Sequence, residues 1–260
     1  MTRRPFDPVV VTTGERERFR RDGFLVLDRP LMSPAEVAPV QAMVQRLFER
    51  FDRLPDHLAY DLGDVQDHDG PQEIPEILSL TALEPRLAET AAFRRCLDLA
   101  RQLLGRRAVC TFDHAICKPA HGDGSAIGWH QDLAYVPDLV DPDRQVNIWL
   151  ALQDVTESSG CMRYVPEQGS GGLLDHRRRG DRTEAHALVA HDVDTTVARS
   201  FPLAAGMVTI HRMTTLHGSG PNLTDAPRLA WVLHFRPRSA MSTLRVRMGR
   251  VRRSIFSSSV

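Results

Sequence analysis

The chain reads as a mainly β protein, a sandwich or barrel of short strands with helices packed outside it, and three observations predict this. First, 260 residues with 42% apolar content are enough for one large core. Second, helical periodicity is confined to the part of the chain before Gly105. Third, beyond Gly105 short apolar segments alternate with clusters of turn residues, the texture of many short strands.

The elements follow in order. Thr13 is placed to cap a short helix through Arg21 that stops at Gly23, and residues 24–27, Phe-Leu-Val-Leu, read as a strand. Ser33-Pro34-Ala35-Glu36 opens the next helix with a cap, a proline in the first turn and a glutamate at the third position. Val37, Val40, Val44, Leu47, Phe48 and Phe51 then recur at three- and four-residue steps, the stripe of a helix lying on a sheet. A further helix is predicted over 85–104, and strands over 109–117, 146–152, 162–165, 188–193, 207–210 and 229–235. On the second of these, alternation puts Asn147 and Trp149 on one face and Ile148 and Leu150 on the other, so one pair should line a cavity. Segments 55–75 and 169–185, rich in Asp, Gly or Arg, read as loops able to close over a pocket.

Charge and composition exclude some classes of function. Basic and acidic residues balance at 33 each, which argues against nucleic acid as a general partner. The balance is uneven along the chain: after Ala226 there is no acidic residue, and eight arginines run from Arg228 to Arg253, which reads as a solvated basic tail from about residue 238. No apolar run approaches the roughly eighteen residues of a membrane span, and Met1-Thr2-Arg3-Arg4-Pro5 is not followed by a signal-like stretch, so a cytoplasmic location is expected. Cys96, Cys110, Cys117 and Cys161 lack C-x-x-C spacing and read as reduced thiols. One domain spanning 1–260 is expected; the oligomeric state is not set by the sequence. Lys118, the only lysine, reads as a strand-end charge.

The chemistry is concentrated in His130-Gln131-Asp132, His217-Gly218-Ser219 and Arg228. Residues i and i+2 of an extended segment share a face, so His130 and Asp132 can offer an imidazole nitrogen and a carboxylate oxygen to one ion. His217 follows the apolar stretch 207–210, at a strand end from which it could supply a third ligand. Two histidines and one carboxylate leave half of an octahedral ion open, as in non-haem Fe(II) oxygenases. Arg228 begins the strand 229–235, and its planar fork of donors suits a carboxylate. The other histidines have no such spacing, although His211 and His234 lie on predicted strands from which a cavity can be reached.

From Asp22-Gly23-Phe24-Leu25-Val26, through Gly128-Trp129-His130-Gln131-Asp132-Leu133-Ala134-Tyr135, to His217-Gly218-Ser219-Gly220-Pro221-Asn222 and Arg228, the chain resembles the phytanoyl-CoA dioxygenase family over roughly residues 15–237. The resemblance implies a double-stranded β-helix, a jelly-roll barrel with the metal inside. It implies Fe(II) on His130, Asp132 and His217, with 2-oxoglutarate as co-substrate and O2 as oxidant. It assigns Arg228 and the Ser219 hydroxyl to the far carboxylate of 2-oxoglutarate, with Trp149 bordering that co-substrate. The activity implied is oxidation of an unactivated C–H bond of a small-molecule substrate, in the manner of a natural-product tailoring hydroxylase. Because Asp132 is a carboxylate rather than a small residue, oxidation without halogen transfer is expected. An acyl-CoA 2-hydroxylase, a non-redox metal-dependent jelly-roll enzyme and a binding module are the alternatives.

The chain departs from the family's common pattern at Val165-Pro166-Glu167-Gln168-Gly169-Ser170, at Gly206-Met207 and at His211-Arg212. None of these is expected to touch the ligands, so the departures bear on substrate rather than on iron.

Overall fold

The computed structural model describes residues 9–63, 72–122, 125–136, 141, 144–167, 172–178 and 188–238. The helices are α1 (Thr13–Asp22), α2 (Pro34–Phe48), the single turn α3 (Leu80–Leu83) and α4 (Ala91–Leu104). Strands β1 (Phe24–Val26), β2 (Ala59–Asp61), β3 (Pro75–Leu78), β4 (Ala108–Lys118), β5 (Ile127–His130), β6 (Val146–Ala151) and β7 (Met162–Tyr164) come first along the chain. They are followed by β8 (His176–Arg178), β9 (Leu188–Ala190), β10 (Arg199–Phe201), β11 (Val208–Arg212), β12 (His217–Ser219) and β13 (Arg228–Pro237).

Local chemistry sets the helix ends. The cap of α1 is Thr12, one residue before the expected Thr13, and with Glu15 it forms a reciprocal capping box. The helix stops at Gly23, whose φ of 80° is a left-handed cap. Ser33 and Glu36 form the same box on α2, whose Val37, Val40, Val44 and Leu47 are buried as the stripe requires. Each such buried aliphatic side chain contributes roughly 2 kcal/mol before entropy is counted. The helix expected over 85–104 is broken: Pro85–Glu89 is a 3-10 turn, and α4 begins after Thr90, whose hydroxyl accepts from Phe93 N at 3.2 Å.

Seven strands form one antiparallel sheet in the order β1-β11-β6-β13-β4-β3-β2, four form a second in the order β10-β7-β12-β5, and β8 pairs with β9. This is the jelly-roll architecture. On β13, Leu229, Trp231, Leu233 and Phe235 pack outward into the core beneath α2 and α4, while Ala230 and Val232 face inward. The inner face of the large sheet meets the small sheet through Phe24, Trp149 and Val232 on one side and Met162 and Tyr164 on the other. Phe24 and Tyr164 stack across the gap at 4.7 Å.

Segments 55–75 and 169–185 are not wholly irregular, since they contain β2 and β8 and reach the start of β3. Residues 64–71, 168–171 and 179–187, and the arginines beyond Arg238, lie outside the described residues. Lys118 ends a strand as expected, and it is fully buried, with Nζ donating to the carbonyls of Ser125 and Gly220. All four cysteines are free thiols.

Candidate active site

The site is assembled where β5 meets β12. His217 does not close the strand before it: β11 ends at Arg212, and His217 starts a strand of its own, directly opposite His130 in register. Gly218 allows this approach, because a Cβ there would lie 2.9 Å from the carbonyl oxygen of Ile127. Gln131 keeps extended dihedrals, and Asp132 opens a 3-10 turn that swings its carboxylate back toward the two rings.

The ligand atoms of His130, Asp132 and His217 all lie within 4.8 Å of one another, the only such cluster of three or more among the described residues. Each imidazole Nε2 is 3.5 Å from Asp132 Oδ1. His130 Nδ1 donates to the Gly128 carbonyl at 2.8 Å and His217 Nδ1 to the Thr215 carbonyl at 2.9 Å. Both rings are thereby turned with Nε2 free for an ion. The other carboxylate oxygen, Oδ2, accepts from Asn147 Nδ2 at 2.5 Å and from His211 Nε2 at 3.0 Å, leaving Oδ1 available. With Nε2 donating, His211 Nδ1 can accept from the Tyr164 hydroxyl at 3.1 Å, which in turn accepts from Thr209 at 2.7 Å.

Electrostatics set the protonation states a metal needs. Burial alone would raise the Asp132 carboxyl, but the imidazoles of His217, His130 and His211 outweigh it and hold the group well below the usual carboxylate range. Burial, reinforced by His130, drives His217 far below the ordinary histidine value and keeps it neutral. An ionised carboxylate beside the neutral His217 imidazole suits a divalent ion.

Arg228 is 2% exposed at the start of β13, and no carboxylate pairs with it among the described residues. Its Nη2 donates to the Gly160 carbonyl at 3.1 Å, its Nε has no partner, and its guanidinium lies 5.3 Å from the centre of the Trp149 ring. Burial depresses it to about 10. Trp149 is two residues along β6 from Asn147, so the ring beside the guanidinium and the amide that bonds Asp132 lie on the same face of that strand. Gly160 has a φ of 77°, and a Cβ there would lie 2.4 Å from the Gly220 carbonyl, which fixes the backbone that holds Arg228. Ser219 is buried on β12, two residues past His217.

Of the two faces that alternation gives β6, Asn147 and Trp149 face the site, while Ile148 and Leu150 pack into the core beneath the helices. Sequence reasoning missed that His211 touches Asp132: the His211-Arg212 departure does reach a proposed ligand. Its partner contact depends on the β11–β6 register, which places His211 opposite Asn147. Tyr135 lies edge-on to His130 at 6.0 Å, and Trp129 sits 5.1 Å beneath Arg163.

Residues 19–230 match the sequence profile of the phytanoyl-CoA dioxygenase family. The crystal structure of EvdO2 from Micromonospora carbonacea var. aurantiaca complexed with 2-oxoglutarate superimposes with a TM-score of 0.72 at 32% identity, covering 88% of this chain and 92% of that one. An ectoine dioxygenase of Streptomyces coelicolor is 25% identical over 238 residues, 86% of this chain and 77% of that protein. A protein of Stutzerimonas stutzeri named "Probable alpha-ketoglutarate-dependent hypophosphite dioxygenase" is 31% identical over 132 residues, 49% of this chain and 45% of that protein. The chain belongs to the phytanoyl-CoA dioxygenase family and is an Fe(II)- and 2-oxoglutarate-dependent dioxygenase.

Proposed function

We propose that His130, Asp132 and His217 hold the Fe(II), and that Arg228, with Ser219 and Trp149 beside it, receives the far carboxylate of 2-oxoglutarate. The observation that carries this is the buried guanidinium, without a carboxylate partner among the described residues, beside Trp149 on the strand whose Asn147 bonds Asp132. A buried cation without a partner is costly, and a dicarboxylate co-substrate supplies the missing charge. A hydrolytic metal enzyme has no use for such a group.

Bound iron with 2-oxoglutarate supplies an O2-driven oxidation of an unactivated C–H bond, with succinate and CO2 as co-products. The residues of the chain provide the rest. Asn147 and His211 fix Asp132 so that one oxygen faces the ion. The Gly128 and Thr215 carbonyls fix the histidine tautomers. Phe24, Trp149, Met162 and Tyr164 close the barrel interior against water, which protects the protein from its own oxidant.

We read the substrate as a small metabolite and the reaction as tailoring of a natural product, without halogen transfer, since Asp132 occupies the position a halide would need. The described residues contain no helix long and apolar enough to cross a membrane. Balanced net charge and free thiols support a single domain acting in the cytoplasm on a small molecule rather than on nucleic acid. The test is 2-oxoglutarate-dependent succinate release, coupled to a mass screen for a metabolite that gains one oxygen. Succinate formation that ignores Fe(II), or wild-type turnover by Asp132→Ala, contradicts the assignment.

A further inference from the structure

His114 and His234 stand on the inner face of the large sheet, at the end of β13 away from Arg228. Their rings are 5.1 Å apart, with Phe112 against both. His234 is in register with Asn147, and Asn147 with His211, so the three form one row across β13, β6 and β11. Two members of that row hold Asp132. His234 is therefore level with the metal donors, while Arg228 lies six residues, about 20 Å of extended strand, back along β13.

The hydrogen bonds say what the two rings offer. Gln145 Nε2 lies 3.3 Å from His234 Nδ1, so the amide donates, Nδ1 accepts, and the proton sits on Nε2. That Nε2 is buried and has no partner among the described residues. His114 bonds through Nδ1 to the buried Glu76 carboxylate, leaving its own Nε2 turned away from the pair. Burial, with the neighbouring His114, depresses His234 to about 3, so it is a neutral donor. Burial would lower His114 as well, but the adjacent Glu76 carboxylate outweighs it and raises the ring. The Glu76–His114 pair balances its own charge, and the Asp132 charge is committed to the metal.

Resting on the iron and 2-oxoglutarate reading above, we propose that His114 and His234 form a substrate subsite on the side of the centre away from Arg228. It takes a neutral oxygen function of the substrate, a hydroxyl, ether or keto group, and it suits a polyoxygenated molecule rather than an acyl chain. With no surplus positive charge, the subsite has little to draw a carboxylate or phosphate. An aliphatic chain would leave the His234 N–H buried and unsatisfied. Glu76 and Gln145 act as positioning residues, Glu76 holding the His114 ring through Nδ1 and Gln145 fixing the tautomer of His234.

The test uses the full chain loaded with Zn(II) and 2-oxoglutarate, with long-range proton–nitrogen correlation of the imidazoles as the readout. The expected result is His234 protonated at Nε2, with the Nε2 signals of both His114 and His234 shifting when myo-inositol is added at millimolar concentration and unmoved by hexanoate or hexanoyl-pantetheine. His234→Leu should weaken myo-inositol binding about tenfold or more, and His234→Gln, which keeps an amide donor, should restore most of it. Protonation of His234 at Nδ1, a response confined to the acyl probes, or no response to any probe overturns the subsite. The Fe(II)-loaded wild type provides a separate control. If 2-oxoglutarate produces a visible charge-transfer absorption there while the imidazoles stay silent to myo-inositol, the subsite alone fails; if the absorption is missing, the underlying iron reading fails.

Discussion

Replacing Arg228 by leucine should move stability and co-substrate affinity in opposite directions. The guanidinium is 2% exposed, has no carboxylate partner among the described residues and leaves Nε unbonded. Burial lowers it from 12.5 to about 10, which corresponds to roughly 3 kcal/mol of unfavourable burial for the charged form. In the absence of 2-oxoglutarate, Arg228→Leu removes that burden and fills the space with apolar atoms, so the variant should be at least as stable as wild type. In its presence the wild type gains a buried, charge-assisted pair that the variant cannot make. Loss of one partner of such a pair costs about 2 to 5 kcal/mol, so the dissociation constant for 2-oxoglutarate should rise at least about 30-fold. Thermal melts of the Zn(II)-loaded proteins, with and without 2-oxoglutarate, read both effects at once. The co-substrate should raise the wild-type midpoint and leave the variant's nearly unchanged. Equal stabilisation of the two proteins by 2-oxoglutarate would refute the assignment of Arg228.

The remaining predictions concern the shell around the metal and the scaffold beneath it. Asn147→Ala and His211→Phe each remove one of the two hydrogen bonds to Asp132 Oδ2, and each should weaken Fe(II) binding by about 10- to 100-fold in a metal titration; unchanged affinity in both would mean that these contacts do not orient the ligand. Gly218→Ala would set a Cβ 2.9 Å from the Ile127 carbonyl and push β12 off β5, so iron affinity and the urea midpoint should fall together. A loss of stability without loss of iron affinity would contradict the role given to that pairing. The Arg95 guanidinium beside Glu36, at 2.9 Å, holds its carboxyl at about 2 against an ordinary 4.5. A folded value below the unfolded one stabilises above the unfolded value, and the benefit is lost as pH falls from 4.5 through about 2. After allowance for partial exposure, Arg95→Ala should cost about 2 kcal/mol in urea denaturation near neutral pH. That difference should shrink across this acid window, and a constant difference would show that the pair contributes nothing.

The parts of the site carried by short-range pattern were legible in the sequence. His130 and Asp132 are two residues apart, Arg228 opens a strand marked by its own apolar run, and Asn147 and Trp149 share a face by simple alternation. Helix starts were equally readable, because a capping box such as Ser33 with Glu36 is written within four residues. What escaped depends on register. His211 reaches Asp132 only because β11 pairs with β6 so that His211 stands opposite Asn147, and nothing local encodes that. The same holds for His114 and Glu76, on strands joined through the sheet edge at β3 and β4. Strands of three residues, such as β8, β10 and β12, are too short to display a period, so His217 was assigned to the end of the preceding strand rather than to one of its own. The break in the helix expected over 85–104 arose because the Thr90 hydroxyl caps the following turn more effectively than its backbone continues the preceding one. Lys118 ended a strand as expected, yet its burial follows from the carbonyls of Ser125 and Gly220, far apart in sequence from each other.

The most direct measurement of the central claim is an anaerobic titration of the Fe(II)-loaded protein with 2-oxoglutarate, followed by visible absorption, in wild type and in Asp132→Ala. A donor set of His130, Asp132 and His217 leaves adjacent positions for the keto acid to chelate. The wild type should therefore develop a charge-transfer band that saturates as 2-oxoglutarate is added, at one keto acid bound per iron, and the variant should develop none. A band of equal strength in both proteins, or no band in the wild type, would contradict the account.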